Sequence, residues 1–574
     1  MYVLATCTSL GLDKAAFESY TAWQMYPKLT KVTKAGSCYQ YLQLVESYRD
    51  EEGLARQRLV LNLGRVDADT RGDLVRLGRG LLRLLGEEMV TGEDLQAEET
   101  RLYGPLLVGD RLWEELGLGE KLGRRLRRLG KRDGGTVQAV LAMVLNRLVA
   151  PRSKLGVTRW LERVYLPELE GSRLGVERFY RALEGLGEVA EGLEEDLFHE
   201  RRDLFEPGLE MVFYDVTSTY FEGEGPEEAG WGYSRDGRSD QPQLMVGLLV
   251  NREGLPLAHK VFPGNRLDGA TVPEVLEDLR QRFGVRRVVF VGDRGMVSRE
   301  NVEALGQAGY QYILGLRKRA GRRCWEALRQ VGEEDWQQVA EGLRVARVLA
   351  GEGASIILCH SQARQVEEEE ILQSKLQRGQ EALERVAQGR QRGPQALRRA
   401  AEELKQAKAS KYFELGLEGD GRLGFAQREA VVAREREMLG LYFLQTDVEE
   451  LSEEEVVRAY MQLQEVEAAF RELKDFLKLR PIYPYRQQRV EAHVFVCVLA
   501  YLLEKLLALK LRAAGVELSA RRALEELERI EVVRLRAGEE ELRLISRPTA
   551  QGRAVLQAVG VAHLPRTVDA GAER

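Results

Sequence analysis

The sequence predicts an α/β protein: a mixed sheet carrying an inserted α+β subdomain, preceded by a β-hairpin and a mainly helical N-terminal region. Three observations predict it. Three strand-like runs follow one another after Met211. Strand-like and helical runs then alternate, which is the pattern of a sheet covered by helices. Within that alternation Val288 to Val291 is apolar without interruption, as in a strand buried on both faces.

The elements follow in chain order. Two strand-like runs near residues 37 to 64, "SCYQYLQLVESY" and "LARQRLVLNLGRV", flank the polar "RDEEG" and predict a hairpin. From about 70 to 205 apolar residues recur at spacings of three and four, as in "TVQAVLAMVLNRLVAP" and "SRLGVERFYRALEGL", so helices are expected. Between them runs the cationic "KLGRRLRRLGKR" from Lys121, either a solvated helix face or a phosphate contact. "LEMVFYDVTS", "QLMVGLLVN" and "LPLAHKVFPGN" are the three strands; the last two are joined tightly through "NREG". A helix over "TVPEVLEDLRQRFG" has Thr271 as its candidate N-cap and Pro273 in its first turn. The strand "RRVVFVGDRGM", a helix opened by Ser298 and a strand "QYILGLRKR" continue the alternation.

That order breaks from about 320 to 440. Strand-like runs there surround two helical runs that turn back near Gly389 to Pro394, an antiparallel helix pair. "LGLYFLQTD" gives one more core strand. A long helix then runs from an N-cap at Ser452 to a stop at Pro481. The divisions are a hairpin region over 1–70, a helical region over 71–207, core segments over 208–320 and 441–512, an insertion over 321–440, and a C-terminal tail over 513–574.

Composition excludes several classes. No basic-apolar-small signal opens the chain. The apolar run from His493 is broken by Glu504, Lys505 and Lys510 too early to span a membrane, and predicts a buried helix. Cys7, Cys38, Cys324, Cys359 and Cys497 have no metal-binding spacing, which fits a reduced, cytoplasmic protein. The net charge of -6 does not favour a nucleic-acid binder, so any such role rests on local clusters: Lys121 to Arg132, Arg317 to Arg323 and Arg480 to Arg489.

Charge within an apolar strand is costly unless it is paired or holds a metal. Asp215 follows the strand-like run from Met211, and Asp293 follows the buried strand ending at Gly292. Neighbouring strand ends open onto one crevice, where two carboxylates stay ionised together only beside a cation. Hard oxygen ligands without a His or Cys cluster favour Mg²⁺ or Mn²⁺. Glu467 is the third candidate, beside the apolar stripe of Leu463, Val466 and Phe470, with Arg471 and Lys474 further along its side. Three carboxylates holding two ions suit phosphodiester cleavage without a covalent protein nucleophile. Trp231 and Tyr233, in the polar loop after Asp215, are either loop anchors or stacking surfaces for a displaced base.

The runs "FYDVTSTYFEG", "GYSRDGRSDQPQL", "VGDRGMVS" and "YMQLQEVEAAFRELK" together resemble the bacterial insertion-sequence transposases of the DDE type. Within these the chain is most similar to the superfamily with a Tyr-Arg-Glu-Lys signature (the IS-four superfamily), sixteen-thirty-four type. The resemblance implies an RNase H-like core that cuts and rejoins DNA with Mg²⁺. It carries the catalytic and metal-binding roles onto Asp215, Asp293 and Glu467, and the signature Tyr and Lys onto Tyr460 and Lys474. Leu463 stands where the signature has a basic or amide residue, leaving that role to Gln464 or Arg471. Tyr460, Arg471, Lys474 and Arg480 are the expected DNA contacts. The implied partners are the terminal inverted repeats and target DNA, bound by a homodimer in a synaptic complex. The helical N-terminal region is expected to bind the DNA ends.

Two other functions compete. A haloacid-dehalogenase-like phosphatase would use strand-end aspartates too, but needs a second aspartate two residues after the first, where Thr217 stands. A catalytically dead DNA-binding relic would not need all three acids.

Overall fold

A computed structural model describes residues 25–568 apart from short internal stretches, of which 82–94 and 201–209 are the longest. The expectation about an export signal, and Cys7 with it, falls outside the described residues. Those described form two compact units. One lies within Met1–Leu197, Phe221–Glu227 and Arg471–Arg574, the other within Phe198–Tyr220 and Glu228–Phe470.

The first unit opens with β1 (Met25–Lys34), β2 (Ser37–Arg49) and β3 (Ala55–Arg65), an antiparallel sheet in that order. The expected hairpin is β2–β3. The extra strand β1, "MYPKLTKVTK", alternates too weakly in polarity to announce itself. A second difference is β4 (Leu95–Leu102), a strand inside the stretch expected to be helical. Its sequence, "LQAEETRL", is mostly polar, and its partner lies more than 400 residues further along. Among the described residues, five α-helices and a short 3-10 helix follow between Gly104 and Glu200. In Thr136–Val149 every residue from Ala139 to Leu148 is buried, as an all-round apolar helix must be. It packs on Gln487–Ala513, the helix that contains the apolar run from His493, itself buried as expected.

The second unit is built on a nine-stranded mixed sheet. Its strands are β5 (Glu210–Tyr220), β6 (Gln243–Val250), β7 (Pro256–Pro263), β8 (Val288–Gly292), β9 (Gln311–Leu316), β10 (Gln337–Ala340), β11 (Leu343–Gly351), β12 (Ala354–Ser361) and, later in the chain, β15 (Leu441–Thr446). The order is β10-β11-β12-β15-β9-β8-β5-β6-β7. β5 is antiparallel to β6 and parallel to β8, and β8 is parallel to β9. All five residues of β8 are buried, which bears out the continuous apolar run.

One sheet face, carrying Val212, Tyr214, Val216, Phe290 and Leu314, is covered by the helices Val272–Gln281 and Arg299–Ala308. The second of these is capped as its sequence suggests. Ser298 Oγ accepts from the Asn301 amide, and Gly309 ends it at φ 72°. Thr271 does not cap the first. Its hydroxyl donates to the Asp268 carbonyl (2.6 Å) and accepts from the Tyr214 hydroxyl (2.9 Å). The opposite face meets the helix Glu453–Met461, which lies against β8, β9 and β11.

β10, β11 and β12 come from the stretch that interrupts the core, yet they extend the main sheet through β12–β15 pairing. The helices Gln362–Gln388 and Pro394–Gln406, with the small hairpin β13 (Phe413–Leu417) and β14 (Leu423–Gln427), have a core of their own around Leu383, Ala400, Leu404 and Phe413.

The long helix expected from Ser452 to Pro481 is broken. Ser452 and Glu455 do form a reciprocal capping box. The helix pauses after Met461, resumes over Gln464–Arg471 and widens to a π turn over Glu472–Phe476. The chain then turns at Lys478, φ 50°, before Pro481 is reached. The first unit is completed by β16 (Glu531–Ala537), β17 (Glu540–Ile545) and β18 (Thr567–Val568). With β4 they make a four-stranded sheet in the order β18-β17-β16-β4.

Candidate active site

The register between β5 and β8 sets two of the acids. Tyr214 is opposite Gly292 across these parallel strands. Asp215 and Asp293 each follow by one residue and so stand side by side; Asp293 is just past the end of β8, but Asp215 is midway along β5, which continues to Tyr220, and not at a strand end as its apolar run suggested. Strands of a sheet lie about 4.8 Å apart. Side chains alternate along a strand, so Asp215 faces away from the core that Tyr214 and Val216 enter. It therefore faces the same side of the sheet as the helix Glu453–Met461. Gly292 is held close: a Cβ there would lie 3.1 Å from Leu314 and 3.2 Å from the Met296 sulfur.

Hydrogen bonding to both aspartates is sparse. Asp215 accepts from the Val216 amide (2.8 Å), and Asp293 from the Arg294 amide (2.6 Å). Burial pushes the Asp215 carboxyl up to about 7; the negative charges of Asp293 and Glu467 add to the rise, while the Val216 amide and Arg235 oppose it. Glu467 is exposed on Gln464–Arg471, next to buried Val466 and one turn from buried Leu463 and Phe470. The apolar stripe thus orients it as its spacing implied. Asp293 and Glu467 line one open cavity of about 820 Å³, together with Arg294, Arg364, Tyr442 and Tyr460.

The three acids are near enough for Asp215 to respond to both partners. Their oxygens do not meet the spacing of a single-ion cage, in which every ligand atom lies within 4.8 Å of the others. Among the described residues that spacing is met by Asp110, Glu114 and Glu168 of the first unit. Asp110 is 7% exposed, and burial with the charges of Glu168 and Glu114 pushes its carboxyl up to about 8. A helix repeat brings Asp110 and Glu114 together, but nothing in the sequence joins them to Glu168.

Tyr460 packs over β9. A Cβ on Gly315 would lie 2.3 Å from its hydroxyl. Burial and Asp293 raise that hydroxyl to about 12. Buried Leu463 and exposed Gln464 also line the cavity. Arg471, Lys474 and Arg480 belong to the first unit. There Arg471 is exposed, Lys474 is 8% exposed, and Arg480 pairs with Asp475 at 3.1 Å. The sequence did not single out Arg235, whose guanidinium bonds Asp268 (2.7 Å) and whose amide donates to Ser218 on β5 (2.8 Å). Its only signal was membership of the run "GYSRDGRSDQPQL".

Comparison with known families decides the matter. The transposase DDE domain matches residues 206–503, and the N-terminal domain of the IS1634 family transposases matches residues 28–94. The chain belongs to the IS1634 family of DDE transposases. DDE transposases generally use divalent metal ions. No curated protein matches this transposase. Among solved structures, a cryo-EM structure of the piggyBac transposase synaptic complex with hairpin DNA is similar over 74% of this chain and 80% of that one. Its identity is 10% and its TM-score 0.36, too remote to carry an argument. No helix among the transposase's described residues is long and apolar enough to cross a membrane.

Proposed function

We propose that this transposase binds the terminal inverted repeats of an insertion sequence and catalyses metal-dependent DNA strand cleavage and strand transfer. Asp215, Asp293 and Glu467 are its catalytic carboxylates and metal ligands. The observation that carries this reading is the electrostatic one. Asp215 on β5 is pushed up first by its burial, and two further acids add to the rise, one a neighbour in strand register and the other on a helix. Such a set is costly alone and is satisfied by divalent cations.

All the donors are carboxylate oxygens, which fits Mg²⁺ or Mn²⁺, and the wider spacing suits two ions better than one. When bound, the ions supply an activated water or 3′ hydroxyl and stabilise the leaving oxygen. The chain's own part is to fix ligand geometry. β5 and β8 hold Asp215 and Asp293 rigidly, and the buried stripe beside Glu467 sets its direction. The order β7-β6-β5-β8-β9, with β5, β8 and β9 parallel, supports an RNase H-like core. Tyr460, Arg471, Lys474 and Arg480 are assigned to DNA contacts, the helical region over 71–207 to the DNA ends, and 321–440 to the inserted subdomain. The acting form is a homodimer holding two ends in the cytoplasm.

The test is Mg²⁺-dependent cutting of terminal-repeat DNA by the full chain. Asp215→Ala, Asp293→Ala and Glu467→Gln should each lower the rate at least about a thousandfold, the scale on which electrostatic stabilisation acts in catalysis. Retained cutting in any of them, or a covalent aspartyl-phosphate trapped on Asp215, overturns the assignment.

A further inference from the structure

We infer that Asp110, Glu114 and Glu168 form a binding site for one hard divalent cation in the first unit. None of the three belongs to the proposed cutting centre, and the inference does not depend on it.

Asp110 and Glu114 lie one turn apart on the helix Gly104–Glu115, and Glu168 lies on the short turn Pro167–Leu169. One oxygen from each comes within 4.8 Å of the others. Like charges one turn apart weaken a helix, and a third carboxylate adds to the repulsion. The fold nevertheless holds all three in place. The Tyr103 and Gly104 amides donate to the Ile530 carbonyl (3.0 and 2.9 Å), which fixes the start of the helix. Gly109 is pressed onto the helix Thr136–Val149, where a Cβ would lie 2.5 Å from a Leu145 methyl. On the other side the Tyr165 amide donates to the Leu102 carbonyl (2.8 Å), and Leu166 and Leu169 are buried around Glu168.

A second observation concerns Asp110 itself. Its side chain is buried, and among the described residues no N–H, hydroxyl or cation pairs with it. A carboxylate taken out of water without a partner is costly. Arg111 pairs with Glu114 at 3.5 Å, but both side chains of that pair are about half exposed, and it leaves Asp110 and Glu168 unmatched. A cation held by Asp110 from the protein side, and by exposed Glu114 and Glu168 from the solvent side, meets all three at once, with water completing its shell. Oxygen donors without His or Cys select Mg²⁺, Ca²⁺ or Mn²⁺. Binding only the folded form, the ion ties the helix to the turn and stabilises the unit.

The experiment uses the full chain carrying Asp215→Ala/Asp293→Ala, which removes two of the three proposed ligands of the cutting centre. Mn²⁺ is titrated in, and bound ion is counted from the loss of the free-ion electron paramagnetic resonance signal. One ion should bind per chain, and the melting temperature should rise with it. Adding Glu168→Gln should weaken binding at least about tenfold, the scale on which even an outer partner of a metal acts, and remove the rise. Glu168 is exposed, so this substitution disturbs no core. Asp110→Asn, which keeps the shape, should do the same. Mg²⁺ and Ca²⁺ should displace the Mn²⁺. No bound ion, an ion that survives both substitutions with unchanged affinity, or one that neither Mg²⁺ nor Ca²⁺ displaces overturns the site. Neither readout involves DNA, so failure here leaves the proposed reaction standing, and failure of that reaction leaves this site standing.

Discussion

Gly315 lies beneath the Tyr460 hydroxyl with no room for a methyl group. Gly315→Ala should therefore cost about 1–3 kcal/mol, as overpacking does, and lower cutting because Tyr460 shares its cavity with Asp293 and Glu467. Denaturant melts together with a cleavage assay check both halves; an unchanged melt would mean that Tyr460 moves aside freely. At this scale the sequence was informative where a residue broke a pattern. Asp215 and Asp293 end apolar runs, and Glu467 borders a helical stripe, so each stood out. Lys474 gave no such sign. It was expected to contact DNA, and it lies 8% exposed within the π turn.

Asp110 bears on stability at the scale of its helix. Unfolded, its carboxyl ionises near 3.8; folded, near 8. Between those values the folded chain holds the extra proton, so stability falls as pH rises from about 4 to 8. Asp110→Asn removes the titration. The variant's stability relative to wild type should rise across that window by on the order of a few kcal/mol, measured by urea melts at pH 5 and pH 8. A difference independent of pH would rule this out. The capping box of Ser452 is worth less: Ser452→Ala should cost about 1 kcal/mol in the same melts. Local signals of this kind were legible. Ser298, Gly309 and Ser452 each did what their chemistry implies, because a cap needs only its own turn. The break after Met461 was not. The amides of Gln462 and Leu463 reach carbonyls three residues back, Ala459 and Tyr460, and no residue type announces that shift.

A chain of net charge -6 that binds DNA must do so through local cationic faces. The cationic run from Lys121 is partly committed to its own unit. Lys121 bonds the Leu116 carbonyl, Arg125 pairs with Asp196 at 2.7 Å, and Lys131 pairs with Glu188 at 2.5 Å. Arg127 and Arg128 remain exposed in the last turn of Leu118–Arg128. If they meet phosphates, Arg127→Gln/Arg128→Gln should reduce the slope of log affinity against log salt by about 2. An unchanged slope in a filter-binding titration would leave the end-binding role to other residues. The sheet's centre was legible because its strands follow one another closely. Its extension by β10 to β12 was not, since pairing between distant strands leaves no trace in either.

The longest such pairing is β4 with β16, where Leu102 meets Glu531 and Leu95 meets Ala537. During synthesis β4 leaves the ribosome with no complement until almost the whole polypeptide has followed it. Until then its edge is open to any stray strand, including one from a second nascent copy. A stop codon before β16 would therefore do its first damage near the beginning of the protein.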